Sequence, residues 1–239
     1  MMIDQVKWEL TTNRFIAFFD ILGFKDLVMR RTHDEVLQKL EVLKETIANL
    51  GKIHTSELLK RHELDDGQTR SVTFSDSIIF FSRGDTEKDA FKILLDCYGI
   101  ILRSLSEGIA IKGAVSFGQV TVDFNTSLFF GQPIIDAYLL HEDLQMLTVV
   151  VDHHAEVKLK SYMGNRNISE MLVTYKANLK SGRITHQLLR PMAQKDVKGR
   201  IDQVTKLYEQ VSGRPRLYID YTIEFLNALL QPEIDQSKL

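Results

Sequence analysis

Two hydrophobic periods divide the chain. Residues 15–21, FIAFFDI, are apolar at both parities apart from Asp20, the pattern of a central strand covered on both faces. FKDLVMRR then opens a helix. In DEVLQKLEVLKETIANLG the residues Val36, Leu37, Leu40, Leu43, Ile47 and Leu50 recur at helical spacing, and Gly51 suits the C′ position. The polar stretch IHTSELLKRHELDDGQ predicts a loop. TRSVTF and IIFFS read as strands joined by SDS, a tight-turn sequence, and so predict a hairpin. In TEKDAFKILLDCYGIILRSLSEG, Ala90, Phe91, Leu94, Leu95, Tyr98, Ile101, Leu102 and Leu105 form one broad apolar helix face, and Gly108 ends it.

IAIKGAVSFGQVTVD predicts one long strand or a hairpin, punctuated by Gly113 and Gly118. SLFFG is a short strand, QPIIDAYLLHEDL a helix with Pro133 in its first turn, and LTVVVD a further buried strand. MLVTYKANLK and RITHQLLRP predict a polar-edged hairpin around Ser181 and Gly182, and KDVKGRIDQVTKLYEQV and YIDYTIEFLNALL are closing helices. The order β-α-α-β-β-α-β-β-α-β, followed by a hairpin and helices, predicts an α+β domain with a mostly antiparallel sheet covered by helices. It divides into a core over 14–155 and a C-terminal extension over 156–239 that packs on the same domain. There is no internal repeat and no low-complexity linker.

Composition narrows the function classes. The 239 residues are 44% hydrophobic and 26% charged, as in ordinary globular proteins. A net charge of −2 provides no global basic field for nucleic acid or an anionic membrane. The single cysteine, Cys97, lies on the apolar helix face; it excludes an internal disulfide and fits a reducing compartment. The polar N-terminus does not read as a signal peptide, and no apolar run approaches the ~20 residues of a transmembrane helix. The expectation is a cytoplasmic protein.

Two carboxylates carry the candidate chemistry. Asp20 stands at the end of the first strand and Asp76 in the turn of the following hairpin. Taken separately, the first is a helix cap or a metal ligand, and the second is turn chemistry or a metal ligand. In a β-α-α-β-β unit the hairpin commonly returns beside the first strand, so the two can converge. Two such charges ~4 Å apart repel by about 1 kcal/mol in water and about 4 kcal/mol at an effective dielectric of 20, and a divalent cation reverses that sign. Oxygen ligands of this kind suit Mg²⁺ or Mn²⁺, with phosphates completing the shell. Gly23 and the amides at the following helix start would let a phosphate approach closely.

These segments, in this order, resemble the class III nucleotidyl cyclases. FFDILGFKDLV resembles their first metal motif and TFSDSIIFF their hairpin with the second metal aspartate. IAIKGAVSFGQVTV resembles their glycine-containing strand pair, LFFGQPIIDAYLL their aromatic-glycine segment and helix, and LTVVVD the strand that follows. The resemblance spans residues 14–152 and implies a ferredoxin-like, palm-type fold. It implies that Asp20, Asp76 and the Ile21 carbonyl hold two divalent ions, Mn²⁺ or Mg²⁺. The amides of Leu22, Gly23 and Phe24 would hold the triphosphate. It also implies a head-to-tail homodimer with active sites at the interface.

The family pattern also has departures. The positions that read purine bases hold Val72 and Leu128, and the ribose asparagine and transition-state arginine are replaced by Ile135 and Leu139. This combination resembles the pyrimidine cyclases of bacterial Pycsar antiphage systems, which turn UTP or CTP into a cyclic nucleotide that activates a companion effector. The absence of an attached sensor or membrane domain agrees. Lys112 is either a triphosphate contact or a solvent-facing strand lysine. Arg70 shares strand parity with Asp76 and either faces the nucleotide or is an edge-strand arginine. Phe19 and Phe74 are expected in the core, Tyr138 in packing, His153 and His154 as a surface pair, and KLKSYMGNRN as a solvated loop. Three functions compete: a pyrimidine cyclase, an adenylate or guanylate cyclase with unfamiliar base-reading residues, and a catalytically inactive cyclase-like dimerisation module.

Overall fold

A computed structural model describes residues 8–50, 68–164, 166–191 and 194–231. Gly51 and all but the last residue of the expected polar loop lie outside them. In chain order the first elements are β1 (Thr11–Ile21), α1 (Phe24–Arg30), α2 (His33–Leu50), β2 (Thr69–Phe74), β3 (Ser77–Ser82), α3 (Glu87–Ser106) and β4 (Ile111–Asp123). There follow β5 (Leu128–Phe130), α4 (Gln132–Asp143), β6 (Val149–Val151), α5 (His153–Lys160), α6 (Arg166–Met171), β7 (Leu172–Leu179), β8 (Gly182–Leu189), α7 (Gln194–Lys206) and α8 (Arg216–Ala228).

The strands form one eight-stranded sheet in the order β2-β3-β1-β4-β6-β8-β7, with β5 paired to β4. Among the described residues only the β4–β6 pairing is parallel; the rest are antiparallel. The mixed α+β architecture is the one expected. The segment 111–123 is a single strand that runs through both glycines, not a hairpin. Gly113 is needed there for close approach, because a Cβ would lie 2.6 Å from Cδ1 of Phe19 and 2.8 Å from the Phe18 carbonyl oxygen.

β1 is central and buried from both sides, as its two-faced apolar run requires. Phe15, Ala17, Phe19 and Ile21 join the main core with Ala90, Ile93, Leu94 and Cys97 of α3. Ile16 joins a smaller cluster with Phe81, Val120 and Val122. α3 begins with a capping box in which Thr86 and Asp89 satisfy each other's backbone amides. Across this helix the buried Lys92 ammonium pairs with Asp96, which also accepts from Thr69, so β2 is tied to α3 by a polar contact inside an apolar layer.

Residues beyond 155 continue the same structure. β8 pairs with β6 at Val150 and Leu188, and the main core includes Leu159, Ile168, Leu188, Val204 and Phe225. The expected solvated loop KLKSYMGNRN is mostly not one. Its first three residues end α5, Leu159 is buried, and Tyr162 and Met163 pack against the core. Periodicity is hard to see in so short a segment, where lysines flank the apolar positions. Among the described residues no helix is long and apolar enough to cross a membrane.

Candidate active site

The sheet register fixes the site. Asp20 is the partner of Ser77 in the β1–β3 ladder and of Lys112 in the β1–β4 ladder. Asp76 is therefore one residue from the position directly opposite Asp20. Cross-strand partners share a face, so Asp20, Ser77 and Lys112 lie on one side of the sheet with Phe18 and Ile79. α4 lies over this face, with Tyr138 edge-on to Phe18 and His141 stacked on it.

The register puts Asp76 close enough to Asp20 for the two carboxylates to act on one another. The Asp20 carboxyl is pushed up to about 6, first by burial and then by the Asp76 carboxylate, which also partners its protonated form. Lys112 acts in the opposite direction and Glu142 adds to the upward push. A partly buried acid with an acidic neighbour is the donor set that a divalent cation stabilises.

Asp20 does not cap α1. The N-cap position is Gly23, at φ 78°, with no side-chain cap. A glycine adopts this left-handed backbone without steric cost. A Cβ there would have nothing within 4 Å, so the backbone at Gly23 is open to approach. The Leu22 amide is already donating to the Ala110 carbonyl at 2.8 Å, which corrects its expected availability to a phosphate. The amides of Gly23 and Phe24 remain at the helix start, where first-turn N–H groups have no intrahelical acceptor. Ile21 is buried and pairs with Ile111.

Lys112 fits neither of its expected settings. It is 2% exposed and donates to the carbonyls of His141 at 2.6 Å, Leu144 at 3.1 Å and Glu142 at 3.4 Å. The ammonium thus serves the C-terminal end of α4, with the ring of Tyr218 from α8 5.4 Å away. Burial brings its pKa down to about 8.

Arg70 does share the face of Asp20 but sits at the far end of the hairpin. It is opposite Phe81, which pairs with Ile16, four residues from Asp20 or about 13 Å along the strand. Its guanidinium lies over the rings of Trp8 and Phe124, at 4.8 and 5.2 Å. Phe74 corrects the expectation of a core residue: it is 82% exposed, because β2 is an edge strand and, among the described residues, its tip is uncovered. Phe19 is buried as expected.

The sequence reading missed His141 and Glu142. Together with Asp20 they place ligand atoms all within 4.8 Å of one another. His141 is buried, and burial, reinforced by the nearby Lys112 charge, pulls its pKa down to about 4, so the imidazole is neutral. The pair stands at the end of α4, and only its packing on β1 brings it to Asp20. Asp136, Asp152 and His154 also cluster, but both carboxylate oxygens of Asp152 already accept hydrogen bonds, from the Ala155 amide as the cap of α5 and from Ser116.

Three of the positions that depart from the cyclase pattern, Leu128, Ile135 and Leu139, lie with Phe130 on an apolar outer surface, whereas Val72 packs against the smaller core cluster. Ile135 is 51% and Leu139 59% exposed on α4, and Leu128 and Phe130 are exposed on β5.

No protein-family model and no curated protein matches the chain. Solved structures do. One is the catalytic core of a rhodopsin-guanylyl cyclase with converted specificity, in complex with ATPαS (TM-score 0.53, 14% identity, covering 75% of this chain and 96% of that one). A second is a bacterial light-regulated adenylyl cyclase (TM-score 0.52, 14% identity, 84% and 99% covered). A third is the guanylate cyclase domain of RhGC from Catenaria anguillulae, in complex with GTP (TM-score 0.51, 14% identity, 75% and 96% covered). The fold is that of the nucleotidyl cyclase catalytic domains. Almost the whole of each cyclase domain in this group is matched, so the similarity takes in the complete fold and not one βαβ fragment.

Proposed function

We propose that the protein is a nucleotidyl cyclase that converts UTP or CTP to the 3′,5′-cyclic monophosphate and pyrophosphate, as a second-messenger enzyme of bacterial antiphage defence. The observation that carries the cyclase reading is the strand register, which sets Asp76 beside the partner of Asp20 at the end of β1, where the Asp20 carboxyl is raised by burial and then by its acidic neighbour. Asp20, Asp76 and the Ile21 carbonyl would hold divalent cations, Mn²⁺ or Mg²⁺. Bound there, such ions neutralise triphosphate charge and make the 3′-oxygen a better nucleophile. In the reaction the ribose 3′-oxygen bonds to the α-phosphorus, the bond from that phosphorus to the bridging oxygen breaks, pyrophosphate leaves and the 3′-hydroxyl proton is lost. The residues of the chain position and neutralise; no covalent enzyme intermediate is required.

The pyrimidine reading draws on the apolar character of Val72, Leu128, Ile135 and Leu139 where the family pattern has polar contacts to the purine, the ribose and the transition state. Exposed Ile135, Leu139, Leu128 and Phe130 support a second copy covering this face, with active sites shared between the two chains. The cyclic product would activate a companion effector. A second reading, adenylate or guanylate cyclase, is favoured by neighbours whose structures hold ATPαS and GTP. A third, an inactive cyclase-like dimerisation module, is favoured by Leu139 in the place of a cation.

One assay separates them. The protein is incubated with Mn²⁺ and each of the four ribonucleoside triphosphates, and cyclic products are resolved by mass spectrometry. Cyclic UMP or CMP supports the proposal, and cyclic AMP or GMP the second reading. No product from any of the four leaves the inactive module.

A further inference from the structure

The two-aspartate site leaves His141 and Glu142 without a role, yet both converge on Asp20. His141 is 1% exposed and its ring stacks on Phe18 at a centroid separation of 4.7 Å. Nε2 stands 3.6 Å from Oε1 of Glu142, too long for a hydrogen bond. Two ligand atoms bound to one ion at about 2.1 Å lie about 3.0 Å apart at a right angle and about 3.4 Å at the tetrahedral angle. The observed spacing is thus close to what one ion spans.

The surroundings hold this arrangement in place. Lys112 anchors the carbonyls of His141, Glu142 and Leu144, so the end of α4 is fixed against β4 by a buried cation. Lys180, in the β7–β8 turn, reaches Oε2 of Glu142 at 3.5 Å, while the other oxygen faces the imidazole. The same turn is tied to α4 by the Lys180 amide, which donates to the Asp143 carbonyl at 2.7 Å, and by Ser181, which bonds the Asp143 carboxylate. The C-terminal extension therefore buttresses the helix end that delivers His141 and Glu142.

We propose that Asp20, His141 and Glu142 form a one-nitrogen, two-oxygen cation site that takes Mn²⁺ or Co²⁺ in preference to Mg²⁺ and fills without nucleotide. It rests on the reading of Asp20 as a metal-holding residue and is independent of which base is used. Imidazole suits first-row transition ions, whereas Mg²⁺ favours oxygen donors and sheds its waters reluctantly.

The test is metal binding by the full chain without nucleotide. Titration calorimetry should give a Mn²⁺ dissociation constant at least about tenfold below that for Mg²⁺. Pulsed electron paramagnetic resonance of the Mn²⁺-loaded wild type should show coupling to one imidazole ¹⁴N, lost in His141→Gln. The Mn²⁺/Mg²⁺ preference should collapse in that variant. Glu142→Gln, at a half-exposed position where folding is not at stake, should weaken Mn²⁺ about tenfold. Bound Mn²⁺ without nitrogen coupling, or a folded His141→Gln protein with an unchanged ion preference, overturns the site. Failure to bind Mn²⁺ alone, with cyclic product still formed when Mn²⁺ and triphosphate are both present, overturns this inference and leaves the cyclase reading intact. A nitrogen-coupled ion in a protein that makes no cyclic product from any triphosphate supports the site and overturns the cyclase reading.

Discussion

Lys112 and Asp20 are partners across the β1–β4 ladder, yet the ammonium of Lys112 bonds the last carbonyls of α4. One buried cation thus joins the strand that carries the acid to the helix that covers it. Lys112→Met would leave those carbonyls unpaired in an apolar setting and take a positive charge from the neighbourhood of Asp20. The expected loss is about 3 kcal/mol of stability by urea unfolding, with faster amide exchange in residues 140–144. Unchanged exchange there would show that α4 ends securely without the lysine.

Asp20 makes the metal-free protein sensitive to pH. Its folded-state pKa is raised from 3.8 to about 6, so between those values the folded state binds more protons than the unfolded chain. Stability from this group is present at low pH and falls as pH rises through about 6. Asp20→Asn should therefore stabilise the metal-free protein at pH 7–8 and flatten its melting temperature between pH 4 and 6. Mn²⁺ should raise the melting temperature of the wild type and have little effect on the variant.

Asp76 is the second acid and lies in a turn, where its loss spares the core. Asp76→Ala is expected to lower turnover by about 10³-fold or more while the circular dichroism spectrum and melting temperature stay within error of the wild type. Undiminished product formation would remove Asp76 from the mechanism.

The apolar surface of α4 and β5 gives a concentration test. If a second copy covers Ile135, Leu139, Leu128 and Phe130, specific activity falls on dilution as dimers separate. Leu139→Asp should then produce a folded monomer by sedimentation velocity, with an unchanged circular dichroism spectrum, because the side chain is 59% exposed. A wild-type monomer with concentration-independent specific activity would contradict shared sites.

The ion pair within α3 tests the packing of β2. Lys92→Met leaves the buried Asp96 carboxylate without its cation and should cost about 3–5 kcal/mol, whereas replacing both partners by apolar residues should cost much less.

The sequence by itself determined most of the element order, because most elements carry their own signal; the short α5 and α6 do not. Alternation and apolar runs mark the strands, helical spacing marks α2, α3, α4 and α8, and turn residues mark the hairpins. It also singled out Asp20 and Asp76, since a carboxylate interrupting an apolar strand and another in a tight turn are visible without coordinates. The tertiary structure alone decided what stands beside them. Strand register set Asp76 next to the partner of Asp20, and helix packing brought His141 and Glu142 to it from more than a hundred residues away. The same packing turned Lys112 inward and left Phe74 outside, although the local pattern at both sites reads the other way. Local periodicity reports which face of an element is apolar. Which groups from distant elements share one desolvated space depends on register and packing, and the chemistry of a site is set in that space.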